Sequence, residues 1–212
     1  MNEMNNNLQP IAAQEYQLDI NITPKAFAGL ARQGMLCHQG VCELCDDAIA
    51  AAGSEKARVC VALAADTDKN YLQLAVADWG CGMELSALTN ALQLGSAPLT
   101  ENRLNEHGFG LNNALACLSG GSGDWCIYTR TQPGPYFKVS GPFDLRMTVK
   151  TVDAIDLPAS LNLQWPDPST VVYVRVPMVI ARSLQRQGNR KLSDLANLRM
   201  WLVEHLGVAY RG

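Results

Sequence analysis

An apolar strand, Tyr71 to Ala77, runs without a spacer into Asp78-Trp79-Gly80-Cys81-Gly82-Met83. A carboxylate at a strand end, followed by alternate glycines, obliges the chain to leave its sheet through a tight turn. It also lets backbone come close to a flat ligand while the Asp accepts a hydrogen bond from an exocyclic amine. By itself such a pattern is a turn as often as a site, so its neighbours decide its meaning.

Those neighbours alternate between two periods. Tyr16 to Ile22 alternates apolar and polar residues, which predicts a strand. Thr23-Pro24 opens a short helix to about Gln33, and His38 to Ala52 is Ala-rich and helical, closed by Gly53. Arg58 to Leu63 and Tyr71 to Ala77 predict two strands around the turn Asp66 to Asn70. A short helix follows from Leu85 to Leu94, and Gly108 to Leu118 predicts a helix entered through glycines. Trp125 to Arg130, Tyr136 to Val139, Leu145 to Val152 and Val171 to Val176 predict strands. Ser193 caps a last helix carrying Leu195, Leu198, Leu202 and Leu206. Helices early and strands late favour α+β over alternating α/β.

Composition removes several classes. With 212 residues, 48% hydrophobic and 17% charged, the chain is long enough for one substantial core and too apolar for wholesale disorder. Val171 to Ala181, the longest apolar candidate, is interrupted by Arg175 and Pro177, so no membrane span is expected. Seven scattered cysteines and no visible export signal fit reduced thiols, and hence a cytoplasmic location. Residues 1–106 hold 6 Lys and Arg against 13 Asp and Glu, whereas residues 107–212 hold 11 against 7. This mild asymmetry announces no nucleic-acid surface, although a local basic patch late in the chain would permit one.

Four segments carry chemistry. Glu43 and Asp47 stand one helical turn apart and share a face. Two such carboxylates repel unless a cation or water intervenes. Asp47 suits Mg²⁺, and Glu43 suits proton abstraction from water attacking a phosphate; the plainer alternative is a solvated acidic face. The second segment is the Asp78–Met83 turn. The third, His107-Gly108-Phe109-Gly110-Leu111-Asn112, brings glycines to a helix start, where free N–H groups suit phosphate. The fourth is Ser169-Thr170, a hydroxyl pair opening a late strand. Between the second and third, Gly95 to His107 is polar and irregular, a candidate lid.

In order and spacing these four segments resemble the motifs of the GHKL family of Bergerat-fold ATPases, nearest its gyrase B, MutL and MORC branch. The resemblance runs from about Tyr16 to Val176. It implies a two-layer α/β sandwich, a mixed sheet with helices on one face and ATP between helices and lid. It implies that Glu43 activates water, that Asp47 holds Mg²⁺, and that Asp78 binds the adenine amino group with Thr170 assisting. Gly80, Gly82 and Met83 would line the base pocket, and Gly108, Phe109, Gly110, Leu111 and Asn112 would meet the phosphates. The family's Mg²⁺-binding Asn is Asp47 here, and a Lys frequent in MORC-like members is Asn112.

The organisation implied is an N-terminal arm (1–15), an ATP-binding domain (16–180) and a C-terminal helical extension (181–212) leading to a missing or separate transducer domain. The function implied is Mg²⁺-dependent ATP binding with slow hydrolysis, used as a conformational or dimerisation switch. Its partners would be ATP or ADP, a nucleotide-dependent second copy or a transducer domain, with no membrane. Two rivals are a nucleotide-binding module without catalysis and a histidine-kinase-like phosphotransferase. His38, Cys42 and Cys45 share a helix face that could hold zinc, but no second C-x₂-C pair exists and buried thiols are the simpler reading. Arg182, Arg186, Arg190 and Lys191 could form a basic stripe, more simply a solvated face.

Overall fold

The computed structural model describes residues 15–19, 29–30, 34–66, 68, 70–94, 109–181, 199–200, 202–204 and 206. Seven strands form one sheet: β1 (Glu15–Asp19), β2 (Val59–Ala65), β3 (Tyr71–Asp78), β4 (Trp125–Thr129), β5 (Tyr136–Ser140), β6 (Arg146–Val152) and β7 (Thr170–Pro177). Among the described residues the helices with defined ends are α1 (Cys37–Ala51), α2 (Leu85–Leu92), α3 (Gly110–Leu118) and the single turn α4 (Met178–Ala181). The architecture is mixed α and β and is compatible with α+β.

The sheet order is β1-β6-β5-β4-β7-β3-β2, and all six pairings are antiparallel. The expected mixed sheet is therefore corrected, and the reason is β7. The passage from β3 through α2 and α3 to β4 is a helical crossover of the kind that joins parallel neighbours. Here β7 slots between β3 and β4 and runs antiparallel to both, so the two parallel strands never touch.

Helices cover one face, as expected. Val41, Leu44 and Cys45 of α1, Leu88 and Leu92 of α2, and Leu115 and Leu118 of α3 pack on Leu72, Leu74, Val76, Ile127, Val139, Val149 and Val174. Leu202 is buried in the same cluster, which ties the C-terminal segment to this core. The apolar run of β3 is explained by its other face. There Ala75, Ala77, Tyr128, Tyr136 and Val171 form a second cluster under an irregular strap, residues 153–169, which contributes Leu161, Leu163 and Trp165.

Side chains of the sheet and of the turn after β3 hold that strap by its carbonyls. The Tyr128 hydroxyl donates to Asp156 O (2.9 Å), the Tyr136 hydroxyl to Pro168 O (2.9 Å), and Trp79 Nε1 to Pro166 O (2.7 Å). The strap delivers the chain directly to Thr170, so its anchoring bears on the site. No helix among the described residues is long and apolar enough to cross a membrane.

Tyr136→Phe removes a donor from a bond that is buried and leaves the Pro168 carbonyl without its partner. The expected cost is about 1–3 kcal/mol. Urea unfolding of both proteins measures it; an unchanged midpoint would mean the strap is not held by that bond.

Candidate functional site

Asp78 ends β3, and the register of the sheet sets it opposite Thr170, the first residue of β7. Thr170 in turn faces Thr129, the last residue of β4. All three are buried. Thr129 Oγ1 lies 3.1 Å from Thr170 Oγ1 and accepts the Met83 N–H at 2.8 Å. Thr170 hydrogen-bonds the Asp78 carboxylate. Each hydroxyl has one proton and either can be the donor between Thr129 and Thr170; with Asp78 ionised, Thr170 is free to turn its proton to the carboxylate when Thr129 donates to it. Burial pushes the Asp78 carboxyl up to about 6, while hydrogen bonds from the Gly80 N–H and Thr170 pull it back. At neutral pH it is mainly a carboxylate, and Gly80 N occupies only one of its oxygens, at 2.9 Å.

The glycines of this turn serve the chain's own packing. A Cβ on Gly80 would lie 2.5 Å from the Ala51 carbonyl oxygen, at the end of α1. A Cβ on Gly82, where φ is +64°, would lie 1.9 Å from the Arg130 carbonyl oxygen. The Cys81 N–H donates to Ala51 O at 2.9 Å. The turn is thereby clamped between α1 and the segment after β4, and this clamp brings α1's acidic face to Asp78.

That face carries Glu43, Asp46 and Asp47. Asp47 is pushed up to about 7, first by burial, then by the negative charges of Glu43, Asp46 and Asp78. Its Oδ2 is buried without a hydrogen-bond partner. Glu43 is raised as well, by burial and then by Asp46. Its carboxylate rests on the start of α3, where a Cβ on Gly110 would fall 2.6 Å from Glu43 Oε2. The helices approach this closely because Gly40 offers no side chain to Leu118; a Cβ there would meet Leu118 Cγ at 2.8 Å.

The first bond of α3 runs from Asn113 N to Phe109 O, so the N–H groups of Gly110, Leu111 and Asn112 precede the helical ladder. Phe109 is exposed and Leu111 packs on the core. Asn112 is fully buried, and its side-chain amide donates to Ala91 O (3.3 Å), linking α3 to α2.

Of the residues expected from sequence, the structure brings Glu43, Asp47, Asp78, Gly80, Gly82, Met83, Gly110 and Thr170 into one neighbourhood. Gly108, the lid (95–107), residues 1–14 of the arm and the basic stripe (182–191) lie outside the described residues. Thr129 was not foreseen; its clue was a hydroxyl ending a strand, which acquires meaning only from its pairing with a residue 41 positions later. Asp46, too, was passed over, although it stands beside both other carboxylates of α1. Among the described residues no three His, Cys, Asp or Glu side chains are placed to hold a metal ion together. The Cys37 and Cys45 thiols are buried and pushed up to about 12 by that burial, which suits inert thiols. A cavity of about 540 Å³ on the far part of the sheet, lined by Lys138, Ser140, Arg146 and Lys150, shares none of the site's residues.

Asp47 and Asp78 both hold protons more tightly folded than at their ordinary value of 3.8. Their contribution to stability is thus fully present below about pH 4 and is lost as pH rises through about 6 to 7. In the absence of ligand, the protein should melt at lower temperature at pH 8 than at pH 5.5. Asp47→Asn should raise stability at pH 8 by about 1–3 kcal/mol, several degrees in a chain of this size, with little change at pH 5.5. Calorimetric melts at both values test this; equal gains at both would remove charge as the cause.

No family model and no curated protein matches this chain. What the site can do follows from its own carboxylates, hydroxyls and glycines.

Proposed function

We propose that the domain binds ATP with Mg²⁺ and hydrolyses it slowly, in the manner of the Bergerat-fold ATPases its motifs resemble, as a conformational or dimerisation switch. The observation that carries this reading is the convergence of Glu43 and Asp47 on one side and Asp78 with Thr170 on the other, about the start of α3.

The donor set fits the groups implied. Asp47 has a buried, unpartnered carboxylate oxygen among three other negative charges, an arrangement that a divalent cation relieves. A single carboxylate is enough, because Mg²⁺ keeps waters and takes substrate phosphates as its other ligands. When bound, Mg²⁺ would supply positive charge to the phosphates. Asp78, whose Oδ1 accepts the Gly80 N–H, would accept from the adenine amino group as well, beside the Thr129–Thr170 hydroxyl pair. The unladdered N–H groups at Gly110, Leu111 and Asn112 suit phosphate oxygens.

Glu43 stands at that same helix start and takes the proton of the attacking water. The water's oxygen bonds to the terminal phosphorus, and the bond to the bridging oxygen breaks, releasing ADP and phosphate. Burial and Asp46 raise the Glu43 carboxyl, which makes it a better base than a solvated glutamate.

A nucleotide-binding module without catalysis is the second reading. It is favoured by Asn112, whose amide is turned to Ala91 and away from any phosphate. Glu43→Ala separates the two. If Glu43 is the base, phosphate release should fall by ~10²–10⁴-fold with nucleotide affinity kept. Release at background level in the wild type, with ATP still bound, would support the second reading. Equal loss of binding and turnover in the variant would contradict the base role.

A further inference from the structure

Val76 of β3, Val172 of β7 and Ile127 of β4 lie side by side across the sheet, in the core beneath the helices. One step along that same face, the next row is Asp78, Thr170 and Thr129. The row is polar across its whole width, and all three residues are buried, Thr129 completely. A buried hydroxyl is costly unless its hydrogen bonds are made. Valine packs the end of a strand as well as threonine does, since both are branched at Cβ. What threonine adds at position 129 is the hydroxyl.

The bonds of that hydroxyl close a circuit. Asp78 opens the turn that follows β3, and Met83 ends it. Thr170 hydrogen-bonds the Asp78 carboxylate, and its Oγ1 lies 3.1 Å from Thr129 Oγ1. Thr129 Oγ1 in turn accepts the Met83 N–H at 2.8 Å. Both ends of the turn are thus joined through one pair of hydroxyls. Between those ends, Gly82 rests against the carbonyl of Arg130, the residue after Thr129, where a Cβ would not fit. Beyond Met83 the chain enters α2, and the N-cap Glu84 makes no side-chain capping bond. Among the described residues, the bond from Met83 N to Thr129 is therefore the last that holds the turn to the sheet before the helix begins.

We propose that Thr129 is a positioning residue for base recognition: through Thr170 it sets the Asp78 carboxylate, and through Met83 it fixes the far end of the turn. This rests on the ATP-binding function proposed for the site. The Thr129 hydroxyl accepts from Met83 and donates to Thr170, which leaves the Thr170 proton for Asp78. A carboxylate held from behind in this way presents an acceptor of fixed direction, and an exocyclic amine is the group that it selects. A purine without that amine gains nothing from the orientation. Thr129 thereby contributes to the choice among purines from behind the pocket.

Calorimetric titration of the full chain with Mg²⁺ tests this, using ATP and purine riboside triphosphate, which carries hydrogen in place of the 6-amino group. Thr129→Val exchanges the hydroxyl for a methyl, Thr129→Ala removes it without added bulk, and Thr129→Ser keeps it. In the Val and Ala variants the preference for ATP over the analogue should shrink about 5- to 100-fold, the cost of a polar group left without its partner. In Thr129→Ser it should stay near that of the wild type. Hydrogen exchange without nucleotide reads the other arm. The Met83 amide should exchange faster in Thr129→Val than in the wild type or Thr129→Ser, with urea unfolding of each protein setting the global limit. Equal losses for ATP and the analogue would reduce Thr129 to a structural role and overturn the inference. So would a preference lost alike in the Val and Ser variants, or an unchanged Met83 exchange rate. A wild type that binds both nucleotides equally would also overturn it while leaving nucleotide binding intact. A wild type that binds neither would overturn the ATP-binding function itself, and the role of Thr129 with it.

Discussion

Strand β7 pairs with β3 on one side and β4 on the other, and at its first residue this lines up Asp78, Thr170 and Thr129 across three strands. The rest of the site depends on that alignment. Without β7 in the gap, the Asp78 carboxylate would lose the hydroxyl that orients it, and Thr129 would have no route to it. The alignment also fixes where the Asp78–Met83 turn leaves the sheet, since Met83 N is held by Thr129 and Ser169 N by the Asp78 carbonyl. The strap on the opposite face feeds β7 into register, so a segment without helix or strand takes part in positioning the carboxylate.

Helix α1, packed on α3, then carries acidity to this point at a cost in repulsion. Gly40 and Gly110 let α1 and α3 pack closely enough for the Glu43 carboxylate to lie on the start of α3. Gly80 lets the turn after β3 rest on the last carbonyl of α1, which brings Asp47 under the influence of Asp78. Burying several carboxylates with one oxygen unsatisfied is unfavourable for folding alone. Perturbed carboxylates of this kind cluster at functional sites. The glycines that a sequence reader assigns to ligand approach do their work here first by admitting the protein's own backbone.

Much of this was legible in the sequence for a local reason. Helical spacing set Glu43 and Asp47 on one face, and strand-to-glycine and glycine-to-helix junctions marked the turn after β3 and the start of α3; each of these signals lies within a few residues. The helices now seen at Cys37–Ala51 and Gly110–Leu118 and the strand Tyr71–Asp78 followed from local sequence in the same way, whereas the sharing of one face by the helices came from the family resemblance. What lay hidden was non-local. The insertion of β7 turned an expected mixed sheet antiparallel, and no periodicity within Thr170–Pro177 announces which strands will flank it. Thr129 was hidden for the same reason, because its role exists only across a strand pairing. The inward turn of Asn112 depends on how α2 meets α3, which helical spacing alone does not specify.

The central claim is that Asp78 and Asp47 together hold a magnesium-bound adenine nucleotide. Its most direct test is calorimetric titration of ATP into the whole chain, with and without Mg²⁺, for the wild type and for Asp78→Asn. The account predicts one saturable site that requires Mg²⁺ and is weakened by about 1–3 kcal/mol when the Asp78 acceptor becomes a mixed donor and acceptor. Binding that ignores both Mg²⁺ and the Asp78 substitution, or no binding at all, would contradict it.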